Sequence, residues 1–264
     1  MFYLTTFLYD IPTWVIALSL HVSIIAGYLL GMRVGKQQKK TNTLFKREGL
    51  GPLESALIGL LALLLAFTFS MATSRFDARR TLITQEANYI STALLRADLY
   101  PDSLRLELRK DFEQYVETRI AYYQARNNEE NINKSLADAK RISHRMWEQV
   151  SRFARETPTV LPHGMMIPAL NSMIDVVTSR DAARLATVPD LIIWLLMSLT
   201  VLGSFIVGYS KKEKGNDWIV LCIYSFMTVI TIFTIIDLDR PTRGIIKTDV
   251  AHQKIVELRT HFGK

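Results

Sequence analysis

Four long apolar runs constrain this chain more than any other feature of its sequence. They cover residues 11–32, 50–74, 189–209 and 218–236 and contain almost no charged side chains. A helix rises about 1.5 Å per residue, so roughly 20 apolar residues are needed to cross the ~30 Å hydrocarbon core of a bilayer. Each run has about that length. The sequence therefore predicts four transmembrane helices.

A mixed-charge segment, residues 75–188, separates the second run from the third. Its apolar residues recur at spacings of three and four, which is typical of one buried face of a helix. Four such stripes begin at Ile83, Leu108, Ile132 and Ile167. A polar turn at 127–133 and the Pro- and Gly-containing stretch 157–164 separate the later stripes, and Pro168 is expected near the first turn of the last helix.

These patterns predict an all-α fold with a four-helix soluble domain inserted between transmembrane helices two and three. Residues 1–74 hold the first two transmembrane helices, residues 189–236 the last two, and residues 237–264 a carboxyl-terminal tail. Neither proline nor a second glycine follows Gly59 before residue 99. The second transmembrane helix is therefore expected to continue into the soluble domain as one long helix.

Basic residues in the short loops predict the orientation in the membrane. The loop 33–49 holds six Lys or Arg residues and one Glu, and the loop 210–217 holds three Lys residues and two acidic ones. Because basic loops stay in the cytoplasm, the segment 75–188 is expected to lie outside it. The whole pattern is that of a multi-pass protein of a bacterial inner membrane.

Charged residues gather where the second and fourth runs end, on what four-span topology makes the same side of the membrane. This charged collar consists of Arg75, Asp77, Arg79, Arg80, Asp237, Asp239 and Arg240. One interpretation is a set of ion pairs that offsets the cost of partly desolvated charges. The other is the mouth of a pore or a cation site. The sequence leaves both open.

Hydroxyl and phenylalanine side chains alternate near the end of the second run. The candidate pore-lining residues are Phe67, Thr68, Phe69, Ser70, Thr73 and Ser74. Serine and threonine in a membrane usually bond to carbonyls of their own helix and serve packing. Around the axis of an oligomer they could instead line a narrow path with phenylalanine constrictions. Ser225, Thr228 and Thr231 make a weaker case for the fourth run.

Other chemistry finds little support in the sequence. The single cysteine, Cys222, excludes a disulfide scaffold, and the histidines show no metal-ligand spacing. His21, inside the first run, is read as a hydrogen-bonded packing residue. No phosphate-binding glycine loop or nucleophile motif is present, so we expect neither an enzyme, nor a metal site, nor a cofactor. The net charge of +7 is concentrated beside the membrane, which favours contact with lipid over nucleic acid.

Three ordered motifs resemble the bacterial bestrophin-like family of membrane proteins. They are the stretch 67–80, the segment from Glu86 to Pro101 and the stretch 237–244, and residues 169–175 fit the same pattern. The polar positions that the resemblance carries over are Glu86, Asn88, Arg96, Asn171 and Asp175. An equal interpretation of Glu86 and Asn88 is that they are buried and tie the soluble helices together by hydrogen bonds.

The resemblance also carries expectations about function. Bestrophins are pentameric anion channels with calcium sensing on the cytoplasmic side, which implies a homo-oligomer and a cytoplasmic location for 75–188, against the loop charges. The chain lacks the run of acidic residues that forms their calcium clasp. Sequence and resemblance together predict an oligomeric ion channel that prefers anions, lined mainly by the second transmembrane helix. The alternative is a membrane-anchored sensor or scaffold whose soluble domain binds a ligand or a partner protein.

Overall fold

The computed structural model describes residues 11–41, 50–157, 160–211, 218–240 and 244–263. Every regular element in these ranges is a helix, which confirms the all-α prediction and its four apolar helices. Much of the two basic loops, residues 42–49 and 212–217, lies outside the described residues.

Four of the helices are long and apolar enough to cross a membrane. They are α1 (Thr13–Thr41), α2 (Leu50–Ala97), α6 (Asp190–Ser210) and α7 (Trp218–Asp239). Each contains one of the apolar runs almost completely. Helix α2 has 48 residues, about twice what a bilayer needs, so it continues past the predicted end of its run at residue 74.

The other elements are α3 (Asp102–Gln124), α4 (Glu129–Glu156), α5 (Val160–Leu185), α8 (Asp249–Glu257) and a 3-10 helix (Leu258–Phe262). The chain divides into two compact units. Unit 1 comprises Met1–Ser74 and Thr187–Arg240, and unit 2 comprises Arg75–Ala186 and Pro241–Lys264. The first boundary falls inside α2, and residues 241–264 belong to unit 2.

Unit 1 is held together by close approach of helix backbones. A Cβ atom added to Gly31 of α1 would overlap the carbonyl oxygen of Phe205 in α6, and one added to Gly208 would overlap the carbonyl oxygen of Tyr28. Because lipid tails are as apolar as leucine side chains, helices in a bilayer associate through such small-residue contacts and van der Waals packing. The two glycines let α1 and α6 make them.

Unit 2 is held together by a hydrophobic core of ordinary type. The side chains of Leu94, Phe112, Met146, Leu170 and Ile255, one each from α2, α3, α4, α5 and α8, are almost fully buried in it. Each such side chain contributes roughly 1.5–3 kcal/mol when it leaves water. The apolar stripes predicted from the sequence therefore meet in one core, to which α8 adds a fifth helix.

Two local predictions in unit 2 need correction. Helix α4 begins at Glu129, inside the predicted polar turn 127–133, because the Asn128 side chain accepts a hydrogen bond of 3.0 Å from the backbone N–H of Asn131 and caps the helix. Pro168 was expected in a first turn but lies well inside α5, which begins at Val160. Its neighbours Ala169 and Leu170 are buried in the core, which holds the helix across the missing N–H group.

Candidate ion pathway

The membrane part of α2 has one packed face and one open face. Leu61, Thr68 and Ala72 are buried, and at 3.6 residues per turn they fall on the same side of the helix. Phe67, Ser70 and Ser74 are exposed, and the same spacing places them near the opposite side. Phe69 is exposed as well, so four of the six predicted pore-lining residues are exposed. Of the other two, Thr73 is half-buried and Thr68 is buried.

The hydroxyl groups of α2 divide in the same way. Thr68 donates to the carbonyl oxygen of Leu64 at 2.7 Å, and Thr73 donates to that of Phe69 at 2.9 Å. These bonds satisfy a hydroxyl inside its own helix, as burial in a membrane requires. Among the described residues the Ser70 and Ser74 hydroxyls have no hydrogen-bond partner, and both remain available to water or an ion.

Two phenylalanines flank these serines. The Phe67 residue is 62% exposed and Phe69 is 41% exposed. An aromatic ring of this size on an open helix face either contacts lipid or meets a neighbouring subunit. Phe67 shares the side of α2 that carries Ser70 and Ser74, and Phe69 lies between that side and the packed face.

The hydroxyl groups of α7 are used within unit 1. Ser225 is buried and lies 2.8 Å from Nδ1 of His21, and Thr228 donates to the carbonyl oxygen of Tyr224 at 2.9 Å. The hydrogen bond to Ser225 confirms that His21 is a hydrogen-bonded residue between packed helices. Thr231 likewise donates to its own helix, at Met227.

The collar residues that belong to unit 1 are buried beside helix ends. Asp239 accepts a hydrogen bond of 2.8 Å from the backbone N–H of Val188, just before α6 begins. A carboxylate at that position complements the positive end of the helix dipole. Arg240 donates to the hydroxyl of Thr13 at 2.9 Å, where α1 begins, and Asp237 is 2% exposed.

The collar residues that belong to unit 2 differ among themselves. Arg79 is buried and donates to the carbonyl oxygens of Ala183 and Ala186, at 3.0 Å and 2.7 Å. It therefore caps the carboxyl end of α5, where a cation is favoured. Asp77 and Arg80 form an exposed pair at 3.5 Å, which adds little to stability. Arg75 is half-buried.

A buried charge cluster lies at the centre of unit 2. Glu86 of α2 accepts hydrogen bonds from Arg119 of α3 and from Arg180 of α5, and Glu86 and Arg119 are both 0% exposed. The Tyr122 ring lies against both guanidinium groups, 4.4 Å and 5.2 Å from their central carbons. One carboxylate thus joins three helices, which supports the packing interpretation of Glu86.

The remaining family-motif residues do not join this cluster. Asn88, Asn171 and Asp175 are exposed. Asn88 therefore does not share the buried role considered for it. Arg96 donates to the carbonyl oxygen of Met165 in α5.

Arg119 and Arg180 are the buried charged positions that the sequence analysis missed, although a signal was present. Arg119 is four residues after Tyr115, and Arg180 is four residues after Val176, so each charge falls on the apolar stripe of its helix. A charged residue on a buried face must be paired or hydrogen-bonded. An isolated arginine on such a stripe indicates a buried partner on another helix.

Electrostatics around the cluster follow from burial and neighbouring charge. Burial lowers the pKa of Arg119, but the adjacent Glu86 carboxylate raises it by more, so the pKa of Arg119 lies above its usual value. Burial raises the pKa of Tyr115 well above its usual range. His252, stacked on Tyr123 with ring centroids 3.8 Å apart, has its pKa lowered to about 4 by burial and by Arg180. The cluster stays ionised and His252 neutral near pH 7.

No three His, Cys, Asp or Glu side chains come together as metal ligands in the described ranges.

Four apolar helices, one of which continues into a helical unit with a charged core, define a multi-span helical membrane protein. A family model for the bestrophin-like domain matches residues 16–251. The chain belongs to the bestrophin-like family.

Solved structures share this fold at low sequence identity. A variant of a bacterial bestrophin homologue from Klebsiella pneumoniae superimposes with a TM-score of 0.68 at 14% identity, over 94% of this chain and 98% of that one. A second variant of that homologue gives 0.66 at 14%, over 92% and 99%. A crystal structure described as a membrane protein gives 0.60 at 13%, over 92% and 98%. No curated relative matches the chain.

Proposed function

We propose that the chain assembles into a homo-oligomeric ion channel whose path is lined mainly by the membrane part of α2. The observation that carries the proposal is the open face of α2, on which Phe67, Ser70 and Ser74 point away from Leu61, Thr68 and Ala72. Two serine hydroxyls without a described partner suit hydrated ions, and a ring of Phe67 side chains suits a constriction. Membership of the bestrophin-like family supports a channel, and the resemblance to bestrophins suggests five subunits.

We further propose that the path prefers anions. Asp237 and Asp239 would favour cations at a pore mouth, but both are buried within unit 1 and are not offered to a passing ion. Arg79 is likewise buried. Arg75, Asp77 and Arg80, which are half-buried or exposed, leave α2 with a net positive charge just after the lining residues. Repeated around an oligomer axis, that balance raises the local concentration of anions.

Introduced cysteines test the lining directly. In a Cys222→Ser background, Ser70→Cys and Ser74→Cys proteins are reconstituted into planar bilayers and exposed to a negatively charged thiosulfonate reagent. We expect the reagent to reduce the current in both variants. Thr68→Cys is the matched control on the packed face and should not respond. Unchanged currents in both serine variants, or no conductance from the parent protein, would overturn the proposed path.

The sign of the permeant ion is tested in the same bilayers. Under a tenfold gradient of potassium chloride, the current of an anion-preferring channel reverses near the chloride equilibrium potential, and that of a cation-preferring channel near the potassium equilibrium potential.

Symmetry averaging of images of detergent-purified particles tests the oligomeric state. A rotational axis with a central path is expected, and a monomer or a dimer without one would contradict the proposal.

The side of the membrane on which unit 2 lies stays a prediction. The loop charges favour a location outside the cytoplasm, and the resemblance to bestrophins favours one inside it. A single cysteine at the exposed Glu148 of α4, in the same Cys222→Ser background, decides between them. Labelling of intact spheroplasts by an impermeant maleimide is the expected result for the first arrangement, and protection until lysis is the result for the second.

A further inference from the structure

A small cavity in unit 2 combines apolar walls with several guanidinium groups. Its volume is about 50 Å³, which is several times the roughly 10–15 Å³ that one water molecule needs. Ile83, Ile132, Tyr122 and Tyr123 supply apolar and aromatic surface, and Thr248 supplies a hydroxyl. Four arginines complete the lining, namely Arg79, Arg126, Arg180 and Arg184.

Two of the four arginines that line this cavity, Arg180 and Arg184, are paired with carboxylates. Glu86 is shared between Arg119 and Arg180, and Arg184 is bound by Glu129 and Asp181. Asp249 is bound by the Tyr123 hydroxyl at 2.5 Å. Of the lining arginines, Arg180 and Arg184 are thus neutralised by carboxylates, whereas Arg126 has no carboxylate partner anywhere in the described ranges. Among the described residues, Nη1 and Nη2 of Arg119, which packs against the Tyr122 ring, have no hydrogen-bond partner.

Arg126 is the least constrained of these arginines. Its side chain forms no hydrogen bond or ion pair within the described part of the chain, and the residue is exposed at the edge of the cavity. A cation at the entrance of an apolar cavity, with its donors unused, can bind an incoming anion. Arg180 and Arg184, deeper in, are already paired.

The backbone of Arg126 is also strained. Its φ angle is +51°, in the left-handed region, two residues after the end of α3. That position usually carries glycine or asparagine, because a Cβ atom is unfavourable there. A bulky charged residue in such a conformation costs on the order of 1 kcal/mol. Strain of this kind, at a residue that lines a cavity, points to a role other than stability.

We infer that this cavity binds a small organic carboxylate, with its apolar body against Ile83, Ile132 and the tyrosine rings and its carboxylate on Arg126. A guanidinium group presents two parallel N–H donors that match a carboxylate. Ligand cavities are commonly apolar with a few convergent polar groups, and this one has that composition. The two isoleucine side chains and two tyrosine rings that line the cavity favour an organic anion over inorganic phosphate.

Binding is tested on the full chain in detergent, with isobutyrate as the probe and isobutyramide as its neutral isostere. We expect saturable heat on isothermal titration and a raised unfolding temperature with isobutyrate, and neither with the amide or with phosphate. Equal binding of the amide would show that the arginines play no part. Binding of phosphate without isobutyrate would replace the organic ligand by an inorganic one. Absence of saturable isobutyrate binding would overturn the inference.

Arg126→Gly separates binding from folding. The substitution removes the guanidinium group and relieves the left-handed backbone, so the unliganded protein should unfold at the same temperature as the parent or a higher one. Its affinity for isobutyrate should fall at least tenfold.

Arg126→Gln is the second variant. Arg152→Gln is the charge-matched control, because Arg152 is an exposed residue of α4 that does not line the cavity. Parental affinity in both Arg126 variants would contradict the assignment. The outcome does not depend on whether the protein conducts ions.

Discussion

The two units of this protein differ in how they satisfy most of their buried polar groups. In unit 1, threonine hydroxyls bond to carbonyls of their own helix, and two helices touch through glycines. In unit 2, the Glu86 carboxylate and two guanidinium groups are buried together inside an apolar core. Lipid offers no hydrogen bonds to an unpaired polar group, and the threonine hydroxyls of unit 1 bond within their own helix, while Ser225, Asp239 and Arg240 bond to groups on other segments of the unit. Unit 2 relies on partners from different helices.

The difference makes unit 2 sensitive to the loss of a single charge. Glu86→Gln leaves Arg119 and Arg180 buried without a carboxylate, and breaking a buried pair in this way costs about 3–5 kcal/mol. We expect this to be the largest effect of any prediction made for the two units. It is measured as the free energy of unfolding of the full chain in detergent, by denaturant titration followed through tyrosine and tryptophan fluorescence.

Glu117→Gln is the matched control for Glu86→Gln. Glu117 binds Arg259 by two hydrogen bonds of 2.7 Å and 2.6 Å, but both side chains are about 40% exposed. Solvent-exposed pairs contribute about 0–1 kcal/mol. A loss for Glu86→Gln as small as that for Glu117→Gln would show that burial of the cluster does not decide its energetics.

Unit 1 is expected to respond instead to added volume. Gly31→Ala places a methyl group against the Phe205 carbonyl oxygen, and overpacking of this kind costs roughly 1–3 kcal/mol. The readout is the unfolding temperature of the detergent-solubilised protein, which should fall. Gly203→Ala is the control in α6, where the nearest atom to an added Cβ is the Tyr224 hydroxyl at 3.9 Å. It should be neutral or slightly stabilising, and an equal loss in both variants would contradict the close-approach account.

A smaller, pH-dependent effect is expected in unit 2. Burial, followed by the positive charges of Arg180 and Arg119, lowers the pKa of His252 to about 4, while the carboxylates of Glu86 and Asp249 partly oppose this shift. The unfolded chain binds a proton near pH 6.5, before the folded one does, so stability falls as the pH drops from about 6.5 to 4. The measurement is the unfolding temperature at pH 7.5 and pH 5. His252→Phe, which keeps the stack on Tyr123, should reduce the difference between the two.

Other groups also titrate between pH 7.5 and pH 5, so the Glu117→Gln protein serves as a control for the change in unfolding temperature between these two pH values. That variant should keep the parental difference between pH 7.5 and pH 5. If His252→Phe keeps it too, the histidine is not the group responsible.

Much of the architecture was predictable because it depends on local periodicity. The four apolar runs, the continuation of α2 past residue 74 and the stripes beginning at Ile83, Leu108, Ile132 and Ile167 all follow from spacing along one helix. Signals that depend on one side chain were less reliable. Asn128 began α4 earlier than the polar composition of its turn suggested, and Pro168 was tolerated inside α5.

The candidate site was predictable only in part. The sequence identified the serines and phenylalanines of α2, but a run of alternating residue types does not say which side of the helix packs against its neighbours. Burial of Thr68 and exposure of Ser70 and Ser74 come from the arrangement of the other helices. The collar charges were read as one group, whereas Arg79 and Asp239 each serve the end of a particular helix.

The sequence by itself determined that this protein is helical, that four of its helices suit a membrane and that the second of them continues past residue 74. Tertiary structure decided that Glu86 meets Arg119 and Arg180, that Gly31 and Gly208 lie against a neighbouring backbone and that Arg126 opens onto a cavity. The physical reason is that helical periodicity fixes which side chains share a face. Which faces meet depends on packing between segments far apart in the chain.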